Sequence, residues 1–191
     1  MTFQEHGIIY IKNAYNDDTF NEIKKQLKQF KKFLSKDNRT PGRKTICINK
    51  SHKINKLLFN TKFIKSLENM ISTKLKKTSY PVEYRKYFTG SNGIHWHKDK
   101  LLFTEPQFEL VLTIDNTSDS VTQLKEELGV LHSIKTKPNS IILVKANTVL
   151  HKVTKVKSGE RYIVKYILFD KNLPQIKNKD YDYELKNCKT K

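Results

Sequence analysis

At 191 residues, 37% of them hydrophobic and 10% aromatic, the chain is long enough for one domain with a real core and short for two. No apolar run approaches the roughly 20 residues of a membrane-spanning helix, and the opening Met-Thr-Phe-Gln-Glu-His has neither the basic start nor the apolar stretch of a secretory signal. The net charge of +18 is unevenly spread: residues 21–80 hold 17 Lys and Arg against 3 Asp and Glu, a surplus that could attract nucleic acid or an acidic protein.

Of the 37 basic residues 33 are lysine and only four arginine, whereas phosphate recognition favours the bidentate arginine fork. Solvated lysines on helix faces therefore compete with a nucleic-acid reading. Cys47 and Cys188 lie far apart, so no disulfide framework is expected and a cytoplasmic, reducing setting is the default.

In chain order, residues 7–12 read as a short strand. Asn16-Asp17-Asp18-Thr19 then offers N-cap candidates, with acids at the positive end of a helix. Over 20–34 the apolar residues Phe20, Ile23, Leu27, Phe30, Phe33 and Leu34 recur at helical spacing. A strand is expected over 45–49, and a second amphipathic helix over 54–76 carries Leu57, Leu58, Phe63, Ile64, Leu67 and Ile71. From Pro81 the pattern changes to short strands at 84–88, 94–99, 108–115, 129–135, 141–144, 149–156 and 161–169. Thr89-Gly90-Ser91-Asn92-Gly93 and Ser158-Gly159 mark turns between them. Such spacing points to an antiparallel sandwich or jelly roll, mainly β, with the helices covering the outside of one sheet. The divisions are 1–79 for the supporting strand and helices, 80–170 for the core and 171–191 for a polar tail expected to be loosely ordered.

His97-Lys98-Asp99 is followed 54 positions later by His151 and ten residues after that by Arg161. Residues i and i+2 of a strand face the same way, and a third ligand from a distant strand completes one face of an octahedron. Two histidines and a carboxylate leave the other face open, which suits Fe(II) that must bind a cosubstrate and O2. His95 shares that strand face, so His95-Trp96-His97 could also make the paired-histidine motif of a metal-binding cupin. The glutamate expected downstream of that motif is missing, the region reading Leu101-Leu102.

Tyr87-x-x-Gly90, His97-x-Asp99, Lys137-Pro138-Asn139-Ser140 with the apolar run after it, Val149-Leu150-His151 and Gly159-Glu160-Arg161 together resemble the 2-oxoglutarate/Fe(II) dioxygenase superfamily, most closely its prolyl 4-hydroxylase-like branch. The similarity covers about residues 80–170. It implies a double-stranded β-helix, iron held by His97, Asp99 and His151, and Arg161 gripping the distal carboxylate of 2-oxoglutarate. It further implies cosubstrate contacts from Tyr87 and, more weakly, Thr113. Ile163 stands where many relatives carry serine. The implied reaction consumes 2-oxoglutarate and O2 on Fe(II), with ascorbate as a candidate reductant, and hydroxylates a C–H bond while releasing succinate and CO2. A protein or peptide bearing a target proline or lysine is the first expectation for substrate. Loops 39–52 and 100–107 would wall its groove, and Arg85, on the face of Tyr87, would either meet substrate or pair with an acid. Nucleic acid met through residues 21–80 is the second expectation; a cupin-like jelly roll without 2-oxoglutarate and a non-catalytic binding module with merely structural histidines are the other readings left open.

Overall fold

The computed structural model of the chain describes residues 3–125, 130–187 and 189–190. In chain order the elements are α1 (Phe3–His6), β1 (Ile8–Ile11), α2 (Asp17–Lys28), β2 (Ser35–Lys36), β3 (Arg43–Ile48), α3 (Ile54–Leu58), α4 (Thr61–Ile71), β4 (Leu75–Lys77) and β5 (Val82–Phe88). They continue with β6 (Ile94–His97), β7 (Phe108–Asn116), β8 (Thr122–Lys125), β9 (Leu131–Ile134), β10 (Ser140–Lys145), β11 (Leu150–Val153), β12 (Glu160–Asp170) and α5 (Lys179–Lys186). A large sheet runs β1-β10-β7-β12-β5-β3-β2, with β4 also on β12, and a four-stranded sheet runs β6-β11-β8-β9. Every named pairing is antiparallel. This is the expected jelly roll.

The helices form where caps and apolar spacing agree. Asn16 Oδ1 accepts from the Thr19 amide at 2.8 Å, and Asp17 and Asp18 occupy the first turn of α2. The helical reading of 54–76 breaks at Asn60, whose side chain caps a second start by accepting from the Phe63 amide at 2.9 Å. That helix ends at Ser72 in the left-handed region (φ 52°), and the chain then joins the sheet as β4. Phe20, Ile23, Leu27, Phe63, Leu67 and Ile71 pack on the outer face of the large sheet against Tyr84, Leu112, Val164 and Tyr166. Alternation along β12 sends Arg161, Ile163 and Lys165 the other way, into the space between the sheets.

Two expectations need correction. The tail is not loose: Asn178 caps α5 and Tyr181, 1% exposed, packs against Tyr80 and Phe103 with ring centroids 5.6 and 5.5 Å away. Its chain also binds the loop after β6, with the Thr104 amide donating to Ile176 O and the Asn178 amide to Leu102 O, each at 2.9 Å. The Cys47 amide donates to Lys189 O at 2.8 Å, so the C-terminal segment returns alongside β3. Cys47 is buried and is not a free thiol; Cys188 lies outside the described residues. The cysteines thus give no ground for inferring a reducing compartment. The expected strand 129–135 appears as β9, with Gly129 outside the described residues, while the short β8 was not foreseen. No helix among the described residues is long and apolar enough to cross a membrane.

Candidate active site

His97 ends β6 and His151 lies directly opposite it on β11, with ring centroids 4.3 Å apart. The close approach of these strands uses Gly93, at φ +69°, where an added Cβ would run into the Val153 carbonyl oxygen. Asp99 is not on the strand, as its i+2 spacing suggested, but two residues past its end. The loop that carries it is fixed by the Asn147 amide, which donates to Asp99 O at 3.0 Å. Asp99 Oδ1 is 3.6 Å from His97 Nε2, and Oδ2 is 3.6 Å from His151 Nε2. Ligand atoms of the three residues all fall within 4.8 Å of one another.

Backbone carbonyls settle which nitrogens are available. His97 Nδ1 lies 2.8 Å from His95 O, and His151 Nδ1 lies 3.1 Å from Val149 O. A carbonyl only accepts, so each Nδ1 carries the proton and each Nε2 turns its lone pair toward Asp99. Burial lowers the pKa of His97, but the hydrogen bond and charge of Asp99 more than offset it, so the net shift is upward. Burial dominates at His151, which titrates below the usual imidazole value. Burial raises Asp99, yet the two imidazoles and Lys165 hold it well below the ordinary carboxylate range. His95 is exposed and outside the cluster, which removes the ligand a paired-histidine cupin would need.

The cavity beside the triad encloses about 550 Å³, including its open mouth. Arg161 lines it, 2% exposed, opposite Tyr87 in the β12–β5 register. Its Nη1 donates to Thr122 Oγ1 at 3.4 Å, while Nε has no hydrogen-bond partner among the described residues. The other three arginines are neutralised. Arg39 bridges Asp37, Glu83 and Glu184, Arg43 Nε donates to Asp37 at 2.8 Å, and Arg85 Nε donates to Glu83 at 2.8 Å. Arg85 thus pairs with an acid, although it also lines the cavity.

Tyr87 Oη accepts from Arg43 Nη1 at 3.3 Å. Burial pushes the phenol up, but Arg43, Arg85 and Arg161 bring it below the ordinary tyrosine value. Thr113 is fully buried and its Oγ1 also lacks a partner among the described residues, but it stands behind the cavity wall rather than on it. Thr122, Glu109 and Lys165 are wall residues that sequence reasoning passed over. Lys165 could have been found, because it follows Arg161 by four positions on the same strand face.

No family model matches the sequence, and no curated protein matches it. Solved structures do. A 2OG-Fe(II) oxygenase family oxidoreductase from Burkholderia pseudomallei aligns over 87% of this chain and 85% of its own, with TM-score 0.71 and 14% identity. A Trichoplax adhaerens prolyl hydroxylase, in complex with a hypoxia inducible factor oxygen degradation domain peptide fragment, aligns over 88% and 86%, with TM-score 0.68 and 14% identity. HygX from Streptomyces hygroscopicus, with nickel, 2-oxoglutarate and hygromycin B bound, aligns over 94% and 91%, with TM-score 0.66 and 9% identity. The fold is that of the 2-oxoglutarate/Fe(II) oxygenases. At such identities the likeness establishes the architecture, and the chemistry has to be read from this chain's own side chains.

Those side chains fit the cofactors that the fold accommodates. Two imidazoles and a carboxylate on one side are a donor set for Fe(II) with open positions opposite. Lys165 is neutralised by Glu109 and Arg85 by Glu83. A divalent metal on Asp99 would leave one positive charge at the metal and one at Arg161, the complement of a dicarboxylate. The orphaned Arg161 Nε supplies a donor for its far end.

Proposed function

We propose that this protein is a Fe(II)- and 2-oxoglutarate-dependent dioxygenase that hydroxylates a prolyl residue of a protein or peptide, releasing succinate and CO2. The observation that carries this reading is Arg161, a buried guanidinium without a carboxylate partner among the described residues, lining the same cavity as the His97–Asp99–His151 cluster from the facing sheet. When bound, the iron with 2-oxoglutarate and O2 supplies the oxidising chemistry, with ascorbate as the reductant that maintains Fe(II). His97, Asp99 and His151 hold the metal from one side. Arg161, with Thr122 and Tyr87 beside it on the cavity lining, anchors the distal carboxylate, while Thr113 lies outside that lining and takes no part in the contact. Ile94, Val111, Ile142, Val153 and Ile163 make the remaining wall apolar and exclude water.

Proline is favoured over lysine by the state of the acids. Glu109 is occupied by Lys165 and by Gln107, Glu83 by Arg39, Arg85 and Tyr80, and Asp99 by the imidazoles. A lysyl ammonium would enter beside Arg85, Lys165 and Arg161 with no free counter-ion among the cavity-lining acids Asp99 and Glu109 or the neighbouring Glu83, a burial that costs several kcal/mol. A neutral ring meets no such cost. The prolyl hydroxylase among the structural neighbours, solved with a peptide fragment, agrees with this choice.

One observation favours a nucleic-acid substrate instead. Lys36, Lys44 and Lys86 stand side by side in register across β2, β3 and β5, and like charges directly opposite are unfavourable unless something neutralises them. Glu160 already pairs with Lys86 at 2.5 Å, so the peptide reading stands first. A panel of proline-containing peptides, lysine-containing peptides and oligonucleotides, assayed for succinate release and for insertion of one oxygen atom, separates the readings. Stimulation by proline peptides is expected, and turnover with nucleic acid alone would overturn it.

A further inference from the structure

Asp99 lies beyond the end of β6, so no sheet hydrogen bond places its carboxylate. The side chain that grips its loop is Gln107, fully buried just before β7. Gln107 Nε2 donates to Lys100 O at 2.8 Å, and its Oε1 accepts from the Leu102 amide at 3.1 Å. Both contacts fall within three residues of Asp99. The amide group is in turn fixed from behind, because Nε2 also donates to Glu109 Oε1 at 3.0 Å while Glu109 Oε2 pairs with Lys165 on β12. Its backbone carbonyl accepts from the Ala146 amide at 2.8 Å, next to the Asn147 amide that holds Asp99 O at 3.0 Å.

Taking the triad as the metal site described above, we propose that Gln107 is a positioning residue for the carboxylate ligand. The relay Lys165–Glu109–Gln107 fixes the loop from 100 to 102 and, through it, where Asp99 meets the metal. Each member uses a property that a simple packing residue would not need. Gln107 must both donate and accept, which excludes the isosteric Leu and Glu. Glu109 must accept from two directions, and Lys165 balances a charge that would otherwise be stranded in the core. Gln107 and Glu109 share one face of the chain, two residues apart at the entry to β7, so the loop register is locked to the strand that also carries Val111 of the cavity wall.

The test is Mn(II) binding by the full-length protein, read by calorimetry, with the visible d–d spectrum of the Co(II)-loaded protein as the signature of ligand geometry. Gln107→Leu keeps the volume and removes every side-chain hydrogen bond. It should weaken Mn(II) about tenfold or more, as changes behind metal ligands do. It should also shift the Co(II) spectrum, while the apparent 2-oxoglutarate affinity at saturating metal changes by less than about threefold. Should Gln107→Leu not fold, Glu109→Gln serves, since one of its two incoming donors then meets an NH2 group. A smaller weakening of Mn(II) in the same direction is expected. Unchanged Mn(II) affinity and an unchanged Co(II) spectrum in a folded variant would overturn the assignment, as would equal losses of metal and 2-oxoglutarate binding. If the parent protein bound no Mn(II), it is the metal-site reading itself that would fall.

Discussion

Arg161 faces Tyr87 directly across the β12–β5 ladder, yet its Nε is a buried donor with no acceptor among the described residues. In a chain whose other three arginines are engaged by carboxylates, this guanidinium is held in the core at a net cost. Burial accordingly lowers its pKa from the ordinary arginine value. Folding has left a charge in place that a ligand can satisfy, so ligand binding and stability are coupled through one side chain.

Arg161→Met should therefore act in opposite directions on the two. Removing an unpaired buried cation is expected to stabilise the ligand-free protein by about 1–3 kcal/mol, a rise of several degrees in melting temperature. The same change removes the anchor of the distal carboxylate and should raise the KM for 2-oxoglutarate about 100-fold or more. Thermal melts with Mn(II), with and without 2-oxoglutarate, check both effects at once. A ligand-induced shift as large in the variant as in the parent would show that Arg161 does not hold the cosubstrate.

Tyr87→Phe tests the opposite side of that pair. Arg43 keeps its 2.8 Å bond to Asp37, so the fold should survive the loss of the phenol. One neutral or charge-assisted hydrogen bond is worth about 1–2 kcal/mol, so the KM for 2-oxoglutarate should rise roughly five- to thirtyfold with kcat nearly unchanged. The guanidiniums of Arg43, Arg85 and Arg161 overcome burial and favour the phenolate. An ultraviolet pH titration of the ligand-free parent should thus show one tyrosine ionising below the ordinary value, and Tyr87→Phe should remove that transition.

The i+2 spacing makes the His97–Asp99 pair legible, with His151 as a distant third ligand, while the roles of Arg161 and Tyr87 come from the resemblance to the dioxygenase superfamily; the fold brings all five to one cavity. Strand alternation does not place Asp99, however: the strand stops at His97, and a loop positions its carboxylate beside the two imidazoles. The break at Asn60 is not legible in the sequence, because helical periodicity on both sides of it hides a cap that only the hydrogen bond from Phe63 makes visible. Thr122 and α5 were invisible for a different reason. A four-residue strand and a polar helix are specified by what they pack against, here β11 for the one and Phe103 and Tyr80 for the other. The neutralisation of Arg39, Arg43 and Arg85 joins β3, β5 and α5, three segments whose proximity no local pattern announces.

Glu83→Gln probes that neutralising cluster. Burial raises the Glu83 pKa, but Arg85, Arg39 and Lys165 drive it well below the usual carboxylate range, and Asp37 is lowered in the same way by Arg39 and Arg43. A carboxylate whose folded value is depressed contributes stability that is present above its unfolded value, roughly 4. That contribution disappears as the pH falls through the folded value. Stability should be flat from neutrality to about pH 5 and then decline toward pH 2. Glu83→Gln leaves two buried guanidiniums short of a partner and should cost about 3–5 kcal/mol at pH 7. It should also flatten the acid decline, which urea denaturation at several pH values would measure.

Metal binding should carry its own pH signature, because a metal and a proton compete for the same imidazole nitrogen. His151 is pushed below the ordinary histidine value by burial and is neutral at pH 7 without help. His97 is raised, since Asp99 outweighs burial there, and its Nε2 must lose a proton before it can bind. Mn(II) affinity is therefore expected to climb with pH by about tenfold per unit while His97 is protonated, and to level off above its raised value. Calorimetry in two buffers of different ionisation enthalpy should count about one proton released per metal below the His97 midpoint and close to none well above it. Asp99→Asn should lower the affinity overall and move the midpoint of the profile toward acid, because the charge that raises His97 is gone. Release of two protons per metal just below the His97 midpoint would mean that His151 titrates together with His97, contradicting the burial that lowers it.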